Sequence, residues 1–320
     1  MLLFQRLSPH RHVSVCRPLA LFVGAWLCLA SSLCMAQSHR QEPTVINHYD
    51  KAFSPIFRVY LTEVLKTILD KSTIEHGPYR LNFYSRHLST NRSRLETEKG
   101  SIINVLFASH WNGRYLSQNR VIAVPLPVFK GMLGLRSLIA TSENNARIDN
   151  VEEIASFKHL IAGQGANWED VQILRDNDVP VTEAQSFDAL FPMLAKGRYD
   201  YLPLASLEVQ TALRTKGLAY ENLELNNRLS IYYPMPFYVF VNGQRPDIAK
   251  RMADGFAIAS EDGSIARLFE RHFGFLETEL NREMKKLIIL KNTVVSDKEN
   301  NAITHAFLDQ YGQYFDIVQH

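Results

Sequence analysis

Residues 159–170 read "HLIAGQGANWED", the junction of an apolar run with a helical pattern on which the architecture turns. A short apolar run ends in two glycines flanking a glutamine, and a helical pattern follows at once. Asn167, with Asp170 three residues on, has the spacing of a capping box and predicts a helix start there. Bare backbone at a helix entrance has two uses. It makes a tight strand-to-helix turn, or it lets free N–H groups and the positive end of the helix dipole face an anion. "GQGANW" is not a dinucleotide fingerprint, because Trp168 fills the third small position, and no Lys-Ser/Thr pair makes it a Walker A loop. A compact anion such as a carboxylate fits the same physics. Gln164, Gly165, Ala166, Asn167 and Trp168 are therefore candidate ligand contacts.

Downstream the alternation is regular. "NWEDVQILRDND" reads as a helix, "VPVTEA" as a strand, "SFDALFPMLAKG" as a helix between Ser186 and Gly197, and "YDYLPLA" as a strand. Upstream, "TVINHY" forms a first strand. "SPIFRVYLTEVLKTILDKS" then spaces Phe57, Tyr60, Leu61, Val64, Leu65, Ile68 and Leu69 by threes and fours, with Ser54 as N-cap and Pro55 at the first position. "YRLNFYS" and "SIINVLFAS" are further strands. Strand–helix–strand alternation implies parallel sheets with helices on their faces. Two long proline-marked runs, "RVIAVPLPVFKGMLGLRSLIATSE" and "LSIYYPMPFYVFVN", exceed one ordinary strand and read as crossings between two lobes. The expected fold is α/β, two Rossmann-like lobes joined by two crossover strands. Its expected divisions are 37–135 (first lobe), 136–233 (second lobe) and 234–320 (return to the first lobe plus a C-terminal extension). In that extension "MKKLIIL" fits a strand or a helical turn, and "AITHAFLDQYGQYF" fits a helix.

A chain of 320 residues suits one large or two medium domains, at roughly 100–200 residues each. Hydrophobic residues make up 46% and charged residues 21%, which excludes a disordered chain and leaves enough apolar surface for two cores. Residues 1–36 read as a secretory signal peptide: Arg6, Arg11 and Arg17, no acid, then "LALFVGAWLCLASSLCMA" with cleavage expected near Ala36. Its apolar core of about 12 residues is short of the roughly 20 a bilayer span needs. Cys16, Cys28 and Cys34 all fall within it, so the mature chain would have neither disulfides nor thiolate chemistry. Cleavage leaves 32 basic residues against 33 acidic ones, a balance that does not favour nucleic acid. The expected compartment is the periplasm.

Among candidate site residues, Arg114 in "ASHWNGRY" follows a buried strand, at the end of a parallel sheet where ligands bind, and its fork can hold a carboxylate. Arg136 is a similar candidate in the first crossing, and Asp50 and Tyr49 sit at the end of the first strand. Trp111 and Trp168 fit a ligand stack or a core position equally. Neither Gly-x-Ser-x-Gly nor His-Glu-x-x-His occurs. His48, His87 and His110 read as structural or surface residues. No catalytic residue, metal or cofactor is expected.

The segment "FKHLIAGQGANWEDVQILRDNDVPVTEAQSFDALFPMLAKGRYDYLPLASLEV" resembles the second lobe of type II periplasmic solute-binding proteins, in the amino-acid-binding-like family 3 branch. "YYPMPFYVFVN" and "DGSIARLF" are similar to that group's return strand and C-terminal helices. The likeness spans about residues 44–275 and implies a periplasmic binding protein-like II fold that closes on a ligand. It puts Arg114 in the role of carboxylate clamp, with Ala108 and Ser109 beside it and "GQGANW" gripping the same carboxylate. Ala166 stands where the family often has threonine or serine, and His110 where threonine is frequent. The acidic residue that pairs with a ligand ammonium is missing from "PLASLE", leaving Glu208 nearby. The resemblance implies a monomer that captures a small anionic or zwitterionic, amino-acid-like solute by hinge closure, for an inner-membrane ABC-type transporter or sensor. Alternatives are a dehydratase-like enzyme on the same scaffold, or an interaction protein that binds no ligand.

Overall fold

The apolar stripe at Phe57, Tyr60, Leu61, Val64, Leu65, Ile68 and Leu69 is buried at all seven positions. It defines helix α1 (Pro55–Lys71), which packs on the first sheet. The computed structural model describes residues 42–51, 53–111 and 117–318. The expected signal peptide and Arg114 lie outside the described residues.

The first half of the chain runs β1 (Thr44–His48), α1, the single turn α2 (Thr73–His76), β2 (Tyr79–Phe83), α3 (Thr90–Lys99), β3 (Val105–Ala108) and β4 (Val121–Pro125). It then moves to a second sheet with β5 (Leu135–Thr141), α4 (Ser142–Asp149), α5 (Ile154–Phe157), β6 (Ala162–Gly165), α6 (Glu169–Asp176) and β7 (Val181–Ala184). α7 (Phe187–Ala195), β8 (Tyr201–Ala205), α8 (Val209–Lys216) and β9 (Leu223–Tyr232) complete that lobe. The return brings β10 (Tyr238–Asn242), α9 (Pro246–Glu261) and α10 (Ser264–Phe273). Last come α11 (Phe275–Leu280), β11 (Lys285–Ile289), α12 (Asp297–Tyr311) and β12 (Phe315–Ile317).

The first sheet has the order β2-β1-β3-β10-β4, and the second β12-β11-β9-β5-β8-β6-β7. Strands β1, β2 and β3 are parallel, as are β6, β7 and β8, which is the arrangement helical crossovers produce. Each proline-marked run splits into two strands, one per sheet. The first gives β4 and β5, the second β9 and β10, and the two runs pair antiparallel in both sheets. Between the sheets they touch at Gly134, where an added Cβ would meet the Tyr233 carbonyl oxygen at 2.0 Å.

The chain crosses a third time. Of the segment 234–320, expected to return to the first lobe and carry an extension, residues 285–317 join the second sheet. β11 pairs in parallel with Leu229–Tyr232 of β9, covering an edge that would otherwise be exposed. A capping box of Ser296 and Glu299 opens α12, which lays the Phe307 ring on Tyr232 at 3.8 Å and 12°. Asn292 donates to the Pro234 carbonyl (2.8 Å), and Asn177 bonds both ways with Lys291 backbone, so the extension braces α6 and the return crossing.

In the first lobe, fully buried Arg251 of α9 has no carboxylate partner among the described residues. It donates instead to Ser72 Oγ (3.0 Å) and the Gly77 carbonyl (2.7 Å), satisfying groups left over where α1 and α2 end. His48 is 1% exposed; its Nδ1 meets the Val105 carbonyl at 3.0 Å, and its ring stands edge-on to Phe83 and Phe107. Burial pulls its pKa down to about 4, against the opposing pull of the Val105 carbonyl and Asp50.

Two outcomes follow from this packing. Phe307→Ala should lower stability by about 3–5 kcal/mol in chemical denaturation; a loss below about 1 kcal/mol would mean that α12 is not part of the core. Because His48 stays neutral in the fold while the unfolded chain protonates near pH 6.5, stability should fall as pH drops from about 6.5 to about 4. The loss is about 3 kcal/mol, and denaturation at several pH values should show it flattened in His48→Gln.

Candidate ligand-binding cleft

The glycines of "GQG" belong to strand β6, not to a loop that faces an anion. A Cβ on Gly163 would strike the Tyr199 ring at 2.2 Å, and one on Gly165 would strike the Trp168 indole at 2.4 Å. Both positions are small because aromatic rings lie against the backbone. The amides are also engaged: Ala166 N–H donates to the Ala184 carbonyl (2.8 Å) and Trp168 N–H to Gly165 (3.0 Å). Asn167 takes a left-handed φ of 65°, and α6 starts two residues later with Trp168 at its N-cap. The expected capping box is absent, because the Asp170 carboxylate turns to side chains of its own lobe.

Those side chains form the floor of a cleft of about 560 Å³, walled by both lobes, within the size range of small-molecule sites. Arg136, at the start of β5, donates from Nε to the Tyr233 hydroxyl (2.6 Å) and pairs through Nη2 with Asp170 (2.8 Å). The Tyr233 hydroxyl donates to the same carboxylate. Burial works against the Arg136 charge, yet Asp170 and Tyr233 hold its pKa above the ordinary value. Beside them Glu208, at the N-cap of α8, borders the cleft and has no ion-pair partner within 4 Å among the described residues. Burial pushes its carboxyl up, the Ser54 hydroxyl and Arg136 draw it down, and Asp170 adds to the rise.

The first lobe contributes the entrance to α1 and one face of α3. Pro55 starts α1 as expected, but the Ser54 hydroxyl caps nothing: its Oγ is shut off from solvent beside Glu208. Arg94 of α3 reaches across the cleft to Glu169 in the first turn of α6 (2.8 Å), and His110 Nδ1 reaches its other oxygen (2.9 Å). All three side chains are less than one-fifth exposed, so solvent screens these contacts little. Aromatic rings supply much of the remaining wall. Phe53, Phe129 and Phe237 cluster on the first-lobe side, and Trp168 stacks with Phe187 on the second.

Among the residues expected at the site, Ser109, Arg136, Asn167 and Trp168 border this cleft. Gln164 does not: it is fully buried and donates to the Pro203 carbonyl (3.2 Å). Gly165 and Ala166 lie behind Trp168, and Asp50 is outside the lining, where its neighbour Lys51 takes part. Arg114 falls outside the described residues. Trp111 packs in the core on Phe240, and Tyr49 is a buried residue bonded through its hydroxyl to Leu88 backbone. Arg94 and Glu169 were not singled out from the sequence, and Asp170 was read only as the capping-box partner of Asn167. The "WED" triplet was the available signal, since two acids in a helix's first turn compete with any ligand anion for its N-terminus.

No protein-family model matches the chain, and no curated protein matches its sequence. Solved structures do share its fold. An ancestral arginine-binding protein bound to arginine is 14% identical, with a TM-score of 0.51 over 74% of this chain and 100% of that one. An arginine third-transport-system periplasmic binding protein from Legionella pneumophila is 12% identical, with a TM-score of 0.50 over 72% and 99%. A histidine kinase sensor domain with similarity to periplasmic binding proteins is 14% identical, with a TM-score of 0.50 over 74% and 98%. With its two α/β lobes, its paired crossings and the cleft between them, the chain has the type II periplasmic solute-binding-protein fold.

Proposed function

We propose that this chain is a solute-binding protein that captures a small molecule by closing its two lobes, without turning it over. The observation that carries the reading is the cross-lobe contact of Glu169 with Arg94 and His110, on the wall of a ligand-sized cleft. Such contacts exist only while the lobes meet. A solute touching both walls adds to the same closed state and shifts the open–closed balance toward it. The twin crossings supply the hinge. Delivery to an inner-membrane transporter and presentation to a membrane sensor both use a closed lobe pair as their signal. A periplasmic location, with the leader removed, agrees with this role, and none of the described helices is long and apolar enough to cross a membrane.

The closure is testable before any solute is known. Arg94→Ala leaves Glu169 with His110 alone, which should cost about 1–3 kcal/mol of closed-state stability. Small-angle X-ray scattering should then give a larger radius of gyration than wild type. An unchanged radius, together with no thermal shift from any amino acid, amine or organic acid, would sink the reading. A bound solute at 100 times its Kd should instead stabilise the wild type by about 2.7 kcal/mol.

A further inference from the structure

We propose that the solute is a small organic cation, an amine or quaternary ammonium with an apolar body, whose recognition needs no carboxylate. This rests on the reading of the cleft as a solute site and narrows it.

The charges inside the cleft are already sorted. Its two buried arginines, Arg94 and Arg136, each hold a carboxylate from the first turn of α6, Glu169 and Asp170, at 2.8 Å. Those acids also occupy the end of α6 that would otherwise attract an anion. A solute carboxylate would have to displace one of them and leave a buried acid unpaired, which is costly. Lys51 is the remaining lysine or arginine among the described lining residues; it is exposed, with its Nζ on the Ser85 carbonyl.

The opposite holds for a positive group. Glu208 faces the cleft with no cation within ion-pair distance among the described residues; Arg136, committed to Asp170 and Tyr233, acts on it only from farther off. The Ser54 Oγ, shut off from solvent beside Glu208, can accept an N–H. Phe53, Phe129, Phe237 and Trp168 line the rest of the wall, an apolar aromatic surface for the body of an organic cation. An ammonium at Glu208 with its body against these rings satisfies each group and breaks no existing pair.

The test is isothermal titration of the purified protein with matched triplets on one carbon skeleton. These are 2-phenylethylamine, L-phenylalanine and 3-phenylpropionate, then isopentylamine, L-leucine and 4-methylpentanoate. The amines should bind at least about tenfold more tightly than the amino acids, and the carboxylates should give no heat. Glu208→Gln should weaken amine binding on the order of 100-fold with an unchanged circular dichroism spectrum. An amino acid or carboxylate that outbinds its amine overturns the cation assignment and leaves the solute-binding reading standing. Silence from all six compounds counts against both. Should Glu208→Gln fail to fold, the wild-type order of affinities decides alone.

Discussion

Two segments of backbone pass side by side between the sheets, and the rest of the architecture hangs on their contact. Gly134 and Tyr233 lie so close that any side chain on the glycine would overlap a carbonyl oxygen. From that point the same two segments continue as β4 and β10 in one sheet and as β5 and β9 in the other. Each sheet is thus pinned to the crossing by a hydrogen-bonded pair of its own strands. The cleft opens beside this junction, and Arg136, Phe129, Met235 and Phe237 reach it from the crossing segments themselves.

Charge then organises the cleft. A helix N-terminus and buried arginines normally attract anions, and either feature taken alone would favour a carboxylate ligand. Here the protein brings its own acids. Asp170 stays within its lobe and steadies Arg136, whereas Glu169 spans the gap and is held by Arg94 and His110. One helical turn therefore does two jobs, ordering the floor and tying the lobes. Glu208, the Ser54 hydroxyl and a set of aromatic side chains line other parts of the cavity.

The C-terminal segment adds mechanical support on the far side. Strand β11 closes the exposed edge of β9, and the Phe307–Tyr232 stack holds α12 over it. Asn177 and Asn292 link that addition to α6 and to the Pro234 carbonyl. α6 carries Glu169 and Asp170, so the extension stiffens the element on which the cleft's electrostatics depend.

Local features were legible in the chain. The stripe from Phe57 to Leu69 specified α1 because helical period alone puts those seven side chains on one face. The strand–helix alternation and the two proline-marked runs specified two α/β lobes, each with a parallel set of strands, and their crossings, since period and backbone restriction are written residue by residue. Partners across the fold were not legible in the chain. "GQG" fits an anion turn as well as a packed strand until the rings of Tyr199 and Trp168 are in place. "MKKLIIL" fits strand or helical turn until β9 presents an open edge. Glu169 and Asp170 could have been solvated first-turn acids; Arg94 and Arg136, distant in the chain, made them parts of the cleft. Ion pairs and ring contacts between distant residues carry no period and no fixed spacing, so they take shape only when the lobes fold and meet.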